Sequence, residues 1–597
     1  MAKKRGWLIF FILFGVFVFI GLMFIFGIMT ALENRPVVRN DTVLEFNLSG
    51  LITEHFPRDA FGREFEGANL QMHDIRKALA MAKVDERIRG IYLRVSSPQI
   101  GWAKSQELRD LLFDFKESGK FVTAFMESCN EKSYYIAIAA DEIYLQPHSF
   151  AEFNGFAAEI PFLKRMFNKV GAEPQVENIG KYKSAGDIYK RDSMTPAHRE
   201  VTQALLDDIF EEFTQAVIRQ RGIDKEEFMA AINQGIYDSE GALELNLVDT
   251  LIYETEVIDL LKKKVFGENS EDKDLRVMSL PRYAKIPYAE VGLDGGSKVA
   301  LIYAIGTIVS GSGGHDPVMG RNMGSRSIIR YLRSAKKDIS IKAIVIRVDS
   351  PGGSSLASDE IWSEINSVRK IKPVVISMSD VAASGGYWIA MDADAIVAQP
   401  LTITGSIGVV FTLFDLSGTY DKLGIDWETV KKGAHADMLT DKRAMTDAEW
   451  QTFKKLTRDV YDVFVQKVAD GRNKSWDEID EIAQGRIWTG EEALNLGLVD
   501  SLGGLNIALQ IAKEKAGIAR ETQTQWLVYP QPKGLLESVF DRLSIRAAGL
   551  LSQSNHDLAL IKTLPPETKS ILKRIAVMRR VRGGEIMAVA PFIPEIN

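Results

Sequence analysis

The chain contains one module twice, and this constrains its fold more than any other feature. Sliding the sequence against itself by 253 residues pairs Ile88, Ile91, Arg94, Val95, Ser97 and Pro98 with Ile341, Ile344, Arg347, Val348, Ser350 and Pro351. The same shift, without a gap, pairs Ile136, Ala137, Asp141, Ile143, Gln146 and Pro147 with Ile389, Ala390, Asp394, Ile396, Gln399 and Pro400. It still holds at Lys169/Lys422, Gly171/Gly424 and Gly180/Gly433. Two repeats of about 220 residues fit ordinary domain sizes. In each, short apolar runs alternate with helical segments. Val43 to Leu48 and Ile88 to Val95 are such runs in the first copy; Val299 to Ile305, Ile341 to Val348 and Val374 to Met378 follow in the second, with a helix over Ala357 to Arg369. The alternation predicts βαβ units and a mostly buried parallel sheet, hence an α/β fold. The expected division is 37–266 for the first repeat, 267–296 for a charged linker, 297–520 for the second repeat and 521–597 for a C-terminal extension.

The two copies have decayed in complementary ways. The second reads Asp349-Ser350-Pro351-Gly352-Gly353, then Ala383-Ser384-Gly385-Gly386, then Thr404-Gly405-Ser406-Ile407-Gly408. In the first, Gly352, Gly353, Ser384, Gly385 and Ser406 become Gln99, Ile100, Glu131, Lys132 and Phe153. Conversely, Gly180-Lys181-Tyr182-Lys183-Ser184-Ala185 in the first copy faces Gly433-Ala434-His435-Ala436-Asp437-Met438 in the second. Ser384 falls where a strand ends and a helix begins, the place where α/β folds put their sites. A helix starting at Gly385 offers free N–H groups to an oxyanion, and a tight turn at Gly352 and Gly353 offers a second donor.

A serine hydroxyl needs a base to take its proton. Lys183 is the candidate, provided that burial keeps its amine neutral. A hydroxyl donated by Ser406 would help, and Lys181, two residues away, would disfavour a second cation. His435, one position before the lysine slot, is the competing base, and His315 lies in a Gly-rich loop that could approach. No Gly-x-Ser-x-Gly elbow exists, since Ala382 stands two before Ser384. With Lys183 as the base the site is composite: serine from one repeat, lysine from the other.

Composition removes several alternatives. A net charge of −7 gives no global signal for nucleic acid. Cys129 is the only cysteine, so neither an intrachain disulfide nor a Cys-based metal site is expected. The histidines form no HExxH, and the loop Ser310 to Gly314 is not a Walker loop, so no metal, cofactor or nucleotide is expected. After Lys3, Lys4 and Arg5 comes an uncharged run from Trp7 to Leu32. As a helix it rises about 39 Å, enough to cross a hydrocarbon core of about 30 Å. Residues 1–36 are therefore expected to be a cytoplasmic basic tail and a retained transmembrane anchor, with the rest on the outer side. The tail past residue 521 carries Pro530, Pro532, Pro565, Pro566 and a basic run from Lys569 to Arg582; packing on the body, contact with anionic lipid and disorder are all compatible with it.

The motifs Gly-Lys-Tyr-Lys-Ser-Ala, Asp-Ser-Pro-Gly-Gly, Ala-Ser-Gly-Gly-Tyr-Trp and Thr-Gly-Ser-Ile-Gly-Val, together with the anchor, resemble the tandem form of the bacterial signal peptide peptidase A (protease IV) family, membrane-anchored serine–lysine peptidases. The resemblance implies two tandem Clp protease/crotonase-like domains behind the transmembrane helix. It implies Ser384 as nucleophile, Lys183 as general base, the N–H groups of Gly353 and Gly385, with Gly352 beside them, as the oxyanion site, and Ser406 supporting the lysine. Ala436 occupies the slot that carries the lysine in the short form of the family. Also implied are a homotetrameric dome on the periplasmic face of the bacterial inner membrane and apolar signal peptides as substrates. The alternatives are a catalytically inactive membrane-anchored scaffold, a serine hydrolase with His435 as base, and a coenzyme A enzyme that uses the crotonase-like fold literally.

Overall fold

The computed structural model describes residues 36–55, 70–268, 272–316, 320–531 and 587–589, with Gly15, Gly21 and Ser270 as single positions. Apart from Gly15 and Gly21, the anchor expected over 7–32 lies outside these residues. Among the described residues no helix is long and apolar enough to cross a membrane.

The duplication is carried into the topology. In the first repeat Thr250–Leu251, Glu142–Leu145, Phe121–Met126, Ile88–Gln99, Thr42–Thr53 and Arg276–Ser279 lie side by side in that order, every neighbouring pair parallel. In the second the sequence is Ser501–Leu502, Ala395–Ala398, Val374–Ala383, Ile341–Ser350, Ser297–Ile305 and Thr524–Tyr529, again all parallel. The apolar runs are continuous because both faces of the sheet are covered. In Ile341–Ser350, Ile344, Ile346 and Val348 enter one core, while Ala343 and Val345 enter the core on the opposite face. Matching polar clamps repeat as well. Asp141 accepts from the Val122 N–H at 2.8 Å as Asp394 does from Val374. The Tyr134 hydroxyl donates to the Leu247 carbonyl as Tyr387 does to Leu498.

Two expected boundaries move. Part of the expected linker, Arg276–Ser279, is an edge strand of the first sheet, and Leu280 and Tyr283 just after it are fully buried. Part of the expected extension, Thr524–Tyr529, is the corresponding edge strand of the second sheet. An edge strand needs partners on one side only, and within Arg276–Ser279 Met278 alone is buried, so the segment reads as solvated.

Two of the features that join the repeats stand out. The first is a buried ion cluster: Arg347 donates to Glu54 at 2.7 Å and to Glu107 at 2.5 Å, and Arg76 pairs with the same two carboxylates. Burial opposes the charge on Glu54, but Arg347, Arg76 and Lys104 outweigh it and hold the carboxyl well below its usual range. The second is a shared sheet in which Glu173–Ile179 of the first repeat runs antiparallel to Val409–Asp415 of the second, in unbroken register from Val409/Ile179 to Asp415/Glu173.

Candidate active site

Ser384 follows the strand Val374–Ala383 and precedes the helix Gly385–Trp388. Its backbone has φ +55° and ψ −115°, a conformation that costs a non-glycine residue roughly 1–3 kcal/mol. The Ser384 N–H is held by the Gly405 carbonyl at 2.8 Å, and its side chain is fully buried. The glycines after it are sterically required. A Cβ on Gly385 would lie 2.7 Å from Ser358 Oγ and 3.1 Å from Gly353 N, and one on Gly386 would lie 2.7 Å from the Ser350 carbonyl. Gly353 passes still closer to its neighbour strand, where a Cβ would stand 2.0 Å from the Ile308 carbonyl oxygen. The turn at Gly352 and Gly353 therefore sits against the helix start at Gly385. The Gly352 N–H is engaged by Ser350 Oγ at 3.2 Å, so Gly352 contributes its φ of +98° to the turn and not an open donor.

Lys183 arrives from the other repeat. The strand Glu173–Ile179 is zipped onto Val409–Asp415, and beyond it the Tyr182 N–H bonds to the Gln484 carbonyl at 2.8 Å. At Gly485 a Cβ would come within 2.5 Å of the Lys183 Cβ, so only glycine lets the lysine segment thread past. Gly485 escaped the sequence reading; the available signal was the Gln-Gly pair repeated at Gln234-Gly235 and Gln484-Gly485. The Lys183 side chain, 1 % exposed, ends with Nζ 2.8 Å from Ser384 Oγ, 2.9 Å from Ser406 Oγ and 3.0 Å from the Ser406 carbonyl oxygen. No carboxylate is among its partners, and burial alone pushes its pKa well below the ordinary lysine value. A neutral amine has two N–H donors and one lone pair. With the Ser406 carbonyl oxygen accepting one N–H, the hydroxyls of Ser384 and Ser406 are the amine's two remaining partners, which puts Ser406 beside the lysine as expected.

The other candidates fall elsewhere. Lys181 is exposed and lies 3.1 Å from the Tyr182 hydroxyl, so it plays no part in lowering the charge on Lys183. The His435 ring is 61 % exposed and faces Glu449 at 3.5 Å, and Ser384 makes no hydrogen bond to it. His315 belongs to the hairpin strand Gly313–Asp316, and its side chain lies outside the described ones.

A supporting cation was not legible at all. Lys104, from the helix Trp102–Lys116 of the first repeat, reaches Asp349 at 2.7 Å and Asp380 at 2.8 Å. Those carboxylates lie in the strands Ile341–Ser350 and Val374–Ala383, which lead to the glycine turn and to Ser384. Its counterpart under the 253-residue shift is Ala357, and Asp380 faces Glu127, so nothing in the repeat pattern marks it.

The chain is similar to several known proteins. The profile of peptidase family S49 matches residues 114–266 and 366–519, once in each repeat. The chain belongs to peptidase family S49. This S49 protein is 36 % identical over 514 residues to the chloroplastic serine protease SPPA of Arabidopsis thaliana, covering 86 % of this chain and 75 % of that one. It is 34 % identical to Protease 4 of Salmonella typhi, covering 84 % and 83 %, and 31 % identical to Protease 4 of Haemophilus influenzae, covering 80 % and 77 %. It is thus a serine peptidase. Among solved structures, ClpP1 from Listeria monocytogenes matches 36 % of this S49 chain and 94 % of its own, at 16 % identity and a TM-score of 0.23. The 1510-N membrane-bound stomatin-specific protease matches 39 % and 98 %, at 16 % identity and a TM-score of 0.25.

Proposed function

We propose that the protein is a membrane-anchored endopeptidase that degrades apolar peptides, cleaved signal peptides foremost, with a serine–lysine dyad split between two Clp protease/crotonase-like repeats. The observation that carries this reading is the buried Lys183 amine 2.8 Å from Ser384 Oγ with no acid beside it. Ser384 Oγ attacks the scissile carbonyl and passes its proton to Lys183 Nζ. The N–H groups of Gly353 and Gly385 stabilise the oxyanion, Lys183 returns the proton to the leaving amine, and water then hydrolyses the acyl-enzyme. The run from Trp7 to Leu32 serves as the anchor, which places the site on the periplasmic side of the inner membrane.

The chain works as a homo-oligomer, a tetramer in this reading. Support comes from residues 421–436 of the second repeat, all exposed and including Leu423, Trp427 and Val430. Their counterparts in the first repeat, 168–183, hold the strand and lysine that dock on the second repeat. The 421–436 segment pairs with no strand among the described residues, and a neighbouring chain's first repeat offers the equivalent dock.

The test is labelling of Ser384 by a serine-reactive phosphonate, alongside turnover of an apolar fluorogenic peptide by the assembled protein. Both are expected, with neither in Ser384→Ala. Absence of labelling in a folded oligomer would leave the scaffold reading, and saturable binding of an acyl-coenzyme A would leave the coenzyme A reading.

A further inference from the structure

Residues 484–488 of the second repeat touch both halves of the dyad. On one side they receive the lysine segment: the Tyr182 N–H donates to the Gln484 carbonyl at 2.8 Å, and the Lys181 N–H to Gln484 Oε1 at 3.3 Å. On the other side they hold the turn that carries Ser406. The Gly485 N–H donates to the Ile407 carbonyl at 2.8 Å, and the Arg486 carbonyl accepts the Ser406 N–H at 2.6 Å. A Cβ on Gly405 would lie 2.8 Å from the Trp488 ring and 3.1 Å from the Arg486 carbonyl oxygen, so the turn rests directly on this segment. Ser406 has φ +50°, a region that a serine keeps only where its surroundings impose it. The two Ser406 oxygens that meet Lys183 Nζ depend on that conformation.

The backbone of Arg486 holds Ser406, and its side chain holds the first repeat. The guanidinium lies between two rings, 5.0 Å from the centroid of Tyr182 in the first repeat and 4.4 Å from that of Trp488 in the second. It pairs at 2.5 Å with Glu200 of the helix Pro196–Arg221, and the Tyr182 hydroxyl donates to the same carboxylate at 3.2 Å. The arginine side chain is 17 % exposed, which shields the stack from water. Lys181 adds a further charge at this junction, its Nζ 3.1 Å from the Tyr182 hydroxyl. The hydrogen bonds of Lys183 Nζ go to Ser384 and Ser406, not to these charges. In the first repeat Ile236 pairs with Phe153 where Ile487 pairs with Gly405, and the stretch Gln234-Gly235-Ile236-Tyr237 carries no arginine. The arginine occurs in the copy that receives a lysine.

We infer that Arg486 is a positioning residue for the dyad: its guanidinium clamps the lysine-bearing repeat onto the segment whose carbonyl holds Ser406 against Lys183. The inference rests on the serine–lysine reading of the site. Without the clamp, Tyr182 and Trp488 lose the group packed between them, Ser406 relaxes, and water reaches Lys183. Entering water solvates the ammonium and supplies it with acceptors, so the amine is protonated more readily and the acid limb of the kcat/KM profile moves to higher pH.

The experiment measures kcat, KM and the pH profile on the apolar fluorogenic peptide for the assembled full chain, with Arg486→Met, Glu200→Gln and the two combined. Arg486→Met is expected to lower kcat about 10–100-fold with KM within about twofold, and to move the acid limb to higher pH. Glu200→Gln is expected to lower kcat about threefold and to move the limb the same way. The combined variant is expected to be no slower than Arg486→Met, since both changes open one clamp. Charges acting on Lys183 through space would instead move the limb in opposite directions, because one variant removes a cation and the other an anion; that result overturns the inference. So does a kcat within about twofold of wild type in Arg486→Met, or a lower kcat with an unmoved limb, the pattern of a purely structural role. If Arg486→Met fails to assemble, the direction of the shift in Glu200→Gln, a substitution at a half-exposed position, decides alone. Turnover and an acid limb retained in Lys183→Ala indict the serine–lysine reading itself; an inactive Lys183→Ala beside wild-type behaviour of the Arg486 and Glu200 variants indicts only the clamp.

Discussion

The second repeat holds Ser384, with Lys183 against its hydroxyl; at the equivalent place the first repeat holds Glu131. There the carboxylate accepts the backbone N–H groups of Asn154 and Gly155 at 2.7 and 3.0 Å, so the pocket is filled by a side chain whose hydrogen bonds are already satisfied. Phe153, in the slot of Ser406, is buried and packs edge-on against Tyr134 with ring centroids 5.0 Å apart. The lysine slots contrast in the opposite sense: Lys183 is buried, whereas Ala436 is exposed. One scaffold thus supports either a filled, satisfied pocket or a strained, reactive one. The choice depends on whether a partner strand delivers an amine. Strain at Ser384 and the burial of an amine both cost stability, and both are concentrated in the repeat whose lysine is supplied from outside.

Replacing the supplied amine is the strongest way to break the comparison. Lys183→Ala is expected to reduce turnover to the Ser384→Ala background, a loss of at least about 10³-fold, with oligomer size unchanged by light scattering. His435→Ala is expected to leave turnover intact; the reverse pattern would make the mutual decay of the repeats a coincidence. Next in size, Gly353→Ala must displace the Ile308 backbone and is expected to lower kcat about 10²–10³-fold, whereas Ile100→Ala at the equivalent place in the first repeat leaves kcat alone.

Lys104→Met tests the link between repeats. It leaves Asp349 and Asp380 buried without their shared cation, and a loss of about 3–5 kcal/mol in denaturant unfolding is expected. Ser406→Ala removes one hydrogen-bond partner of Lys183 Nζ and is expected to cost about tenfold in kcat. The ammonium needs acceptors more than the amine does, so the acid limb of the kcat/KM profile is also expected to move to lower pH, a shift that a purely structural role would not produce. The sign of the limb follows from burial. Activity needs the neutral amine, so it falls as pH drops through the lowered Lys183 pKa and persists well below the ordinary lysine value of about 10.4. Between those two values the unfolded chain binds a proton that the folded chain does not, so this group makes stability rise with pH. The smallest effect is expected from Glu131→Gln, which weakens the bonds to Asn154 and Gly155 by about 1–2 kcal/mol and leaves turnover unchanged.

Much of this was legible in the residues. A repeat, gapless at a 253-residue shift through its central part, ties the two sheets to one topology, and the β-branched runs read as parallel strands because both faces of each sheet are buried. Ser384, its glycines and Lys183 stood out because each motif was kept in only one copy. Pattern reading could not supply contacts between segments far apart in the chain. Lys104 meets Asp349 and Asp380 across 245 and 276 positions, and no periodicity encodes such a pairing. Gly485 matters only because Lys183 passes over it. The edge strand Arg276–Ser279 lacks a strong apolar signature because an edge buries so little. Sequence alone therefore determined the fold class, the duplication and the candidate reactive groups, since these rest on local composition and spacing. Tertiary structure decided that Lys183 meets Ser384 within one chain, that burial alone lowers the pKa of its amine, and that Met587–Val589 pairs with the strand Gly352–Ser354. Those outcomes depend on which distant surfaces exclude water together.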